Sequence, residues 1–490
     1  MTSHKTTFTV MGNYSKITGD VPVSEIDRVT SYAVAGAKYS AAFRKGRWDG
    51  RKHLYKKKQG LIPTGLLSLA VDVCKDAGAE VEIINESSKD SYPLNNDCTL
   101  EGIDMSGKYS YQAAAVRQMI ERKRGIVKVA TGGGKTPIAC AVIKYIGRKT
   151  LYVVPNKELL YQSRERFASY LGVDESEIGV IGDDEWIEGS LITVATVATL
   201  YSRIRTKTCK DLLNSAEVLL FDECHRAGAD TYYTVAMACP ATWRFGLSGT
   251  PYSRSDGATL RLIAAVGDKI VEVSNKQLIE LGVTARADII FDTITEPTLP
   301  KKIQYSTAYK AGVAENPLLV ERVVEWTKIF REEGLRVLIL IETIKHGDAI
   351  NAALWNDTGG VFIPHTFIHG SESTEDRRAA LADFAAGTLP VLISSVILDE
   401  GVDVPTIDAL ILAGSRKSHI RTMQRLGRGL RGERLIAVEF YNMCHTFLVK
   451  HSLERYEAYK AEDCFGLYQS GPDQKLVHAL WNRVGGPKGE

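Results

Sequence analysis

Short apolar runs alternate with helical stretches between about residues 127 and 438. The runs are rich in β-branched residues, as in IVKVA (126–130), LITVAT (191–196), VLLFD (218–222) and RVLILI (336–341). The stretches between them carry apolar residues at helical spacing, for example at 157–171 and 375–387. Buried strands that alternate with helices are typical of parallel α/β sheets.

The number of strands is too large for one modest sheet, and two prolines interrupt the pattern in TEPTLPKK (295–302). The first hundred residues differ, because they hold short alternating segments and a basic cluster followed by a polar stretch. We therefore expect a small N-terminal α+β domain (1–85), a linker (86–103), a first α/β domain (104–295), a second α/β domain (300–465) and a C-terminal tail (466–490).

The composition is that of a globular protein. The 490 residues are 44% hydrophobic and 24% charged, with a formal net charge of +2, which excludes a wholly disordered or fibrous chain. A near-zero net charge does not exclude nucleic-acid binding, because a local basic patch is sufficient. The N-terminus has no long apolar segment and no run of 18 apolar residues occurs, so we expect a cytoplasmic protein.

The segment VKVATGGGKTPIACAVI (127–143) is the strongest local signal. A buried strand leads into Thr131 and three glycines (132–134), and a helix follows. Glycines let the backbone wrap a phosphate, Lys135 supplies a positive charge for the β- and γ-phosphates, and Thr136 supplies a hydroxyl for Mg²⁺. The strict GxxxxGK[ST] pattern requires glycine where Val129 stands, so a glycine-rich turn with an incidental lysine is the alternative.

A second signal lies about 90 residues downstream, where the apolar strand of VLLFDECHRA (218–227) ends in two acids. Asp222 can hold Mg²⁺ opposite the phosphate loop, and Glu223 can orient and deprotonate an attacking water. Alone, the pair could be solvated acids at a strand end, and His225 alone could be structural. Together with the loop, the acids predict ATP hydrolysis, with His225 as a coupling residue.

The order of these motifs resembles that of the superfamily 2 helicases. Tyr111-Gln112 comes first, then Gly132-Gly133-Gly134-Lys135-Thr136, Asp222-Glu223-Cys224-His225 and Ser248-Gly249-Thr250, and last QRLGRGLR (424–431). The resemblance covers about 104–460 and implies two tandem RecA-like domains that bind ATP and Mg²⁺. It also implies that Gln112 pairs with the adenine edge, and that Ser248 and Thr250 couple the phosphate site to nucleic acid.

The same resemblance assigns roles in the second domain. Gln424, Arg428 and Arg431 are spaced to share one helix face, and the two arginines are expected to stabilise the charge that develops during phosphoryl transfer. EGVDVP (400–405) resembles the motif in which Gly401 and Asp403 link ATP to nucleic acid. Expected strand contacts are Pro155, Asn156 and Thr196 in the first domain and His369 and Ser394 in the second.

The N-terminal basic cluster, FRKGRWDGRKHLYKKK (43–58), interleaves cations with aromatic residues. Basic side chains can neutralise phosphates and aromatic faces can stack on unpaired bases. The alternative is that the same pattern belongs to a solvated loop around a tryptophan that packs in the core. The overlapping segment GRWDGRKHLYKKKQGLIPTGLL (46–67) resembles the N-terminal DNA-binding domain of phage UvsW-type helicases, and the motor core with TPYSRSD (250–256) resembles that group and its XPB-like relatives. Expected DNA contacts are Arg44, Lys45, Arg47, Trp48, Arg51, Lys52, Lys56, Lys57 and Lys58.

The resemblance implies an ATP-dependent DNA helicase or translocase that acts on branched DNA, such as forks, D-loops or Holliday junctions, in replication, recombination and repair. Four alternatives stay open. They are an RNA helicase, the motor subunit of a restriction complex, an ATPase that anneals or translocates without unwinding, and a nucleotide-binding scaffold without motor activity. The intact Lys135, Glu223, Arg428 and Arg431 argue against the scaffold.

Overall fold

The computed structural model describes residues 5–86, 94–226, 230–251, 257–356, 362–395, 407–414, 434–462 and 464–482. The chain divides into two compact units, one formed by 1–129 with 134–273 and the other by 130–133 with 274–490. Within the described ranges, no helix combines the length and the apolar character that crossing a bilayer requires.

In the described part of the N-terminal region, four strands form a sheet of order β5-β2-β1-β6, and β3 and β4 form a separate two-stranded antiparallel sheet. Phe8, Ile17, Ile62 and Leu66 bury their side chains in the core of this region. The elements are β1 (Lys5–Val10), β2 (Tyr14–Gly19), α1 (Val23–Val29), β3 (Ser31–Ala33), α2 (Ala41–Arg44), β4 (Arg51–His53), β5 (Leu61–Pro63), α3 (Leu67–Asp76) and β6 (Glu80–Asn85).

The first large sheet has eight strands in the order β10-β9-β11-β8-β12-β13-β7-β14. All neighbours are parallel except the edge pair β9 and β10. Its elements are α4 (Ser110–Arg122), β7 (Arg124–Val129), α5 (Lys135–Ile146), β8 (Thr150–Val154), α6 (Lys157–Leu171), β9 (Gly179–Gly182), β10 (Glu185–Ile187), β11 (Ile192–Thr196), α7 (Val197–Arg203), α8 (Lys207–Ser215), β12 (Val218–Phe221), α9 (Asp230–Ala238), β13 (Trp243–Ser248), α10 (Ala258–Val266) and β14 (Lys269–Val273).

Among the residues that the structure describes, the second large sheet has seven parallel strands in the order β17-β18-β16-β19-β20-β15-β21. Its elements are α11 (Asn275–Glu280), β15 (Arg286–Ile294), α12 (Tyr305–Tyr309), a π-helical turn (Lys310–Ala314), α13 (Pro317–Glu332), β16 (Val337–Leu340), α14 (Ile344–Trp355), β17 (His365–Ile368), α15 (Thr374–Ala386), β18 (Val391–Ser394), β19 (Ala409–Leu412), β20 (Arg434–Asn442), α16 (Thr446–Lys460), β21 (Gly466–Gln469) and α17 (Gln474–Trp481).

The second sheet is buried on both faces. Val337 and Ile339 of β16 belong to one core cluster, whereas Leu338 and Leu340 belong to another. Such burial requires continuous apolar strands, because successive side chains point to opposite faces. The prediction of two parallel-sheet α/β domains is thus confirmed.

Two predicted boundaries need correction. The strand β15, which the break at 295–302 assigned to the first domain, pairs with β20 and β21 in the second sheet, and the first unit ends at Val273. The predicted tail also belongs to the second sheet, because β21 pairs with β15 and α17 buries Val477 and Leu480. Sheet membership depends on hydrogen bonds to distant strands, which the local pattern does not reveal.

The N-terminal sheet and the first large sheet share a tightly packed seam within the first unit. Ala264 of α10 lies in the same apolar cluster as Phe8 and Leu66. Gly65 lies so close to the carbonyls of Ile263 and Ala264 that a Cβ atom there would collide with backbone. The N-terminal domain therefore forms one body with the first α/β domain.

Candidate functional site

The phosphate loop connects β7 to α5. Gly132 and Gly134 have φ angles of 86° and 81°, in the left-handed region that glycine tolerates best, and Gly133 N donates to Ala130 O at 3.0 Å. Gly134 is the N-cap of α5, and Lys135 is its first residue. The first-turn N–H groups of a helix favour a negatively charged ligand, so the loop can bind a phosphate.

Gln112 lies directly against this loop. It is a buried residue of α4, and a Cβ atom on Gly134 would collide with its Nε2. Gln112 Nε2 donates to the Tyr111 hydroxyl at 3.3 Å. The structure therefore brings the Gln112 amide beside the loop, and its contact with adenine stays a prediction.

Two acids follow β12, and the phosphate loop follows β7. Because β12 and β7 are both parallel to β13, the acids and the loop lie at the same edge of the sheet, where the carboxyl ends of the strands meet. Asp222 is 8% exposed, and its Oδ1 accepts a hydrogen bond from Glu223 N at 2.9 Å. Glu223 has a φ of 46°, unusual for a residue with a side chain. Its Oε1 lies 3.9 Å from Lys135 Nζ, so the loop lysine and the second acid are neighbours in the structure.

The electrostatics of Asp222 favour a cation. Burial raises the pKa of this carboxyl, the charge of Glu223 raises the same pKa further, and Lys135 partly offsets both effects. A carboxylate in this setting is stabilised by an additional positive charge. Carboxylate and hydroxyl oxygens suit Mg²⁺, which usually takes one or two protein ligands and completes its shell with phosphate and water. Asp222 and Thr136 offer such a donor set.

The predicted coupling residues are contiguous with the acids. His225 Nδ1 lies 3.2 Å from Glu223 Oε2 and 3.2 Å from Ser248 Oγ. Ser248 ends β13, the neighbour of β12, and its hydroxyl accepts a hydrogen bond from Thr250 N at 3.1 Å. A polar path therefore runs from Glu223 to the segment after β13.

The predicted strand contacts lie at carboxyl edges. In the first sheet, Asn156 Oδ1 caps α6 at 2.9 Å from Leu159 N, and the Thr196 hydroxyl caps α7; Pro155 precedes Asn156. In the second sheet, His369 follows β17, and its backbone N–H donates to Glu372 Oε2. Ser394 ends β18, is fully buried and donates to Ser395 O. All five strand contacts stay predictions.

Four cations of the basic cluster contact protein groups, although the side chains of Lys52, Lys56 and Lys57 are also exposed. Arg51 donates to Ser31 Oγ and O, Lys52 pairs with Asp230 at 3.0 Å, and Lys57 pairs with Asp27 at 2.8 Å. Lys56 lies over the Tyr14 ring at 4.1 Å. The remaining predicted cations, Arg44, Lys45, Arg47 and Lys58, have exposed side chains.

The aromatic residues of this cluster serve the fold to different degrees. Trp48 is half-buried and its indole N–H donates to Arg51 O at 2.7 Å. Tyr55 is 4% exposed, whereas Phe43 is 39% exposed. The packing of Trp48 favours its role in holding the loop, and its stacking on bases stays a prediction.

Several predicted site residues fall outside the described ranges. They are Gly401, Asp403, Gln424, Arg428 and Arg431.

Sequence reasoning missed one residue at the seam, Arg244 of β13. Its guanidinium is buried and donates to the carbonyls of Ala236, Cys239 and Ala265 and to Asn13 Oδ1. Asn13 in turn donates to Met237 O and Cys239 O. An arginine inside a buried strand was the available signal, because a buried charge requires dedicated partners.

Two protein-family descriptions match the chain. "Type III restriction enzyme, res subunit" fits residues 107–253, and "Helicase conserved C-terminal domain" fits residues 319–433. The first match contains the phosphate loop, the two acids and Ser248.

Similar proteins extend these matches. The chain is 28% identical over 353 residues to "DNA 3'-5' translocase XPB2" of Sulfurisphaera tokodaii, covering 66% of this chain and 78% of that protein. It is 24% identical over 479 residues to "ATP-dependent DNA helicase uvsW" of Enterobacteria phage T4, covering 88% of this chain and 92% of that protein. The solved structure "S. cerevisiae Dbp5 bound to RNA and ADP BeF3" is similar in fold, with a TM-score of 0.54 and 16% identity over 76% of this chain and 93% of that chain.

Proposed function

We propose that this chain remodels branched DNA. The chain belongs to the superfamily 2 DNA helicases, resembles their UvsW-type and XPB-like members, and hydrolyses ATP. The substrates would be replication forks, D-loops and Holliday junctions, and the activities would be unwinding and branch migration in replication, recombination and repair. The observation that carries the proposal is the N-terminal domain, which forms one body with the first motor domain and exposes Arg44, Lys45, Arg47 and Lys58.

Several features support the ATP-binding part of the proposal. The loop 131–134 would surround the phosphates, Lys135 would contact the β- and γ-phosphates, and Gln112 would pair with adenine. Asp222 and Thr136 would hold Mg²⁺, which when bound neutralises charge on the phosphates. Gly401 and Asp403 would link this site to nucleic acid.

Hydrolysis would depend on Glu223. This carboxylate would orient a water molecule and accept its proton as the oxygen attacks the γ-phosphorus and the bond to the β-phosphate oxygen breaks. Arg428 and Arg431, with Gln424, would stabilise the charge that develops on the transferred group. His225, Ser248 and Thr250 would pass the change in the phosphate site to the segment after β13, because they form a continuous polar path from Glu223.

DNA engagement would involve both motor domains and the N-terminal domain. Pro155, Asn156, Thr196 and His369 lie at carboxyl edges of parallel strands, where loops and helix N-termini suit backbone phosphates. In the N-terminal domain, exposed cations would bind duplex phosphates without reading sequence. Because this domain is fixed to the first motor domain, movement of that domain would move the DNA arm that it holds.

A second candidate is translocation along DNA without strand separation, which the similarity to a protein named as a DNA translocase favours. One experiment separates the two. The protein is given ATP with a synthetic four-way junction, a tailed DNA duplex and an RNA duplex, with Glu223→Gln as the control. Conversion of the junction into two forked duplexes supports branch migration. DNA-stimulated hydrolysis without a strand product favours translocation, and preference for RNA contradicts both.

A further inference from the structure

Three aromatic side chains form a cluster on the second motor domain, which we call the aromatic platform: the exposed Tyr305 and Phe447 and the half-buried His451. Tyr305 opens α12, and the other two lie one turn apart on α16. The Tyr305 ring centroid lies 6.1 Å from that of Phe447, edge to face at 83°, and 5.1 Å from that of His451. Tyr305 is 37% exposed and Phe447 is 40% exposed.

The platform lies at the carboxyl edge of the second sheet. β15 and β20 are parallel and end at the paired residues Ile294 and Asn442, and Met443 N donates to Ile294 O at 2.7 Å. α12 follows β15, and α16 follows β20. The hydroxyl of Tyr309 donates to Glu342 Oε2 at 3.0 Å, which fixes α12 beside the end of β16. His369, a predicted strand contact, lies at this same edge.

The rim of the platform is basic. Lys301 and Lys302 are exposed immediately before α12, and Lys450 is exposed one turn beyond Phe447. His445 Nε2 lies 3.4 Å from Lys301 O, which brings that lysine segment to the start of α16. Glu315, an acid ten residues after Tyr305, pairs with Lys310 at 3.5 Å, so this lysine partly neutralises its charge.

Aromatic faces beside exposed cations suit one class of ligand. Bases without a pairing partner stack on aromatic rings in a sequence-tolerant way, while cations accompany the backbone phosphates. The edge-to-face contact with Tyr305 holds the Phe447 ring in place, so little side-chain entropy is lost when a base stacks on it. A purely apolar partner would gain nothing from the lysine rim.

We propose that the aromatic platform is a stacking site for the bases of single-stranded DNA. The proposal rests on the proposed function, because it assumes that a separated or translocated strand crosses the carboxyl edge of the second domain. It adds a base contact on the second motor domain to the base stacking predicted for Trp48 in the N-terminal domain.

The test compares Phe447→Leu with Trp355→Leu. Leucine keeps the apolar character of position 447 but lacks an aromatic face. Trp355 is the matched control, since it is 58% exposed and packs on His365 at the amino end of β17, away from the carboxyl edge. Phe447→Leu is expected to weaken binding of an oligothymidylate at least about fivefold by fluorescence anisotropy, the low end for loss of one base stack. Phe447→Trp should retain the affinity.

A second measurement uses the wild-type protein, so it does not depend on the folding of a variant. Single-stranded DNA that carries 5-iodouracil is irradiated with the protein, and the adducts are mapped by mass spectrometry. Adducts at Tyr305 or Phe447 are expected. Unchanged affinity of Phe447→Leu, or adducts only elsewhere, would overturn the proposal. A wild-type protein that forms these adducts but leaves four-way junctions intact supports the platform and counts against branch migration.

Discussion

Replacing Arg244 by methionine should destabilise the first unit strongly. The guanidinium is 1% exposed and makes four hydrogen bonds, to Ala265 O at 2.9 Å and to Asn13 Oδ1, Cys239 O and Ala236 O at 2.6 Å each. Methionine fills much of the volume but donates none of these hydrogen bonds. Cys239 O keeps its bond from Asn13 Nδ2 and Ala236 O keeps its bond from Cys239 N, whereas Ala265 O and Asn13 Oδ1 lose the Arg244 donor. A buried acceptor that loses its donor costs ~1–3 kcal/mol, so we expect a total loss of ~3–5 kcal/mol.

For a domain of this size, that loss corresponds to a decrease in Tm of about 6–20 °C. Differential scanning calorimetry should show it as an earlier transition of the first unit. Arg117→Met is the control, because Arg117 is exposed on α4 and such a change should stay within ~0.5 kcal/mol of wild type.

A double-mutant cycle identifies the partner across the seam. If Arg244 stabilises the N-terminal domain through Asn13, the costs of Arg244→Met and Asn13→Ala should overlap, so that the double variant loses clearly less than their sum. Additive losses would show that Arg244 supports only its own α/β domain. A loss below ~1 kcal/mol in Arg244→Met would refute the account of the buried network itself.

Three further outcomes are expected. Glu223→Gln should bind an ATP analogue normally but release phosphate ~10²–10⁴-fold more slowly, since an amide cannot accept the proton of water; an equal loss of binding would contradict this role. Lys45→Glu should reduce the slope of log affinity for duplex DNA against log salt by ~0.9, while Lys207→Glu on α8 should not. His346 is buried, which lowers its pKa from 6.5 to about 4, so the unfolded chain binds the proton more readily between these values. The second unit should therefore lose up to ~3 kcal/mol of stability as the pH falls from 6.5 towards 4. In urea unfolding, His346→Leu should abolish most of that pH dependence. A pH dependence that persists in the variant would refute the assignment of this effect to His346.

The elements that the sequence predicted best are those with strong local signals. The glycines before Lys135 and the acids after β12 mark strand ends, and parallel strands bring their carboxyl ends to one edge. Motif order and fold class together therefore predict that these motifs lie at one edge, whereas the contacts of Lys135 with Glu223 and of His225 with Ser248 are seen only in the structure.

What the sequence did not reveal depends on long-range pairing. Lys52 and Lys57 look like free cations in their basic run, yet their partners are Asp230, from another domain, and Asp27, 30 residues away. The position of Arg244 in a buried strand indicates that it has partners but not which ones, because its acceptors are mostly backbone carbonyls that no side-chain pattern records. The membership of β15 in the second sheet is likewise set by distant strands.

The position of β15 also determines where this chain can be divided. The strand lies between β20 and β21 in the second sheet, so a fragment that began at residue 300 would lack an interior strand and would leave the long strand β20 with an unpaired edge. A division between Val273 and Ser274 keeps both large sheets whole. That junction is thus the natural site for expressing the halves separately or for inserting a reporter domain between them.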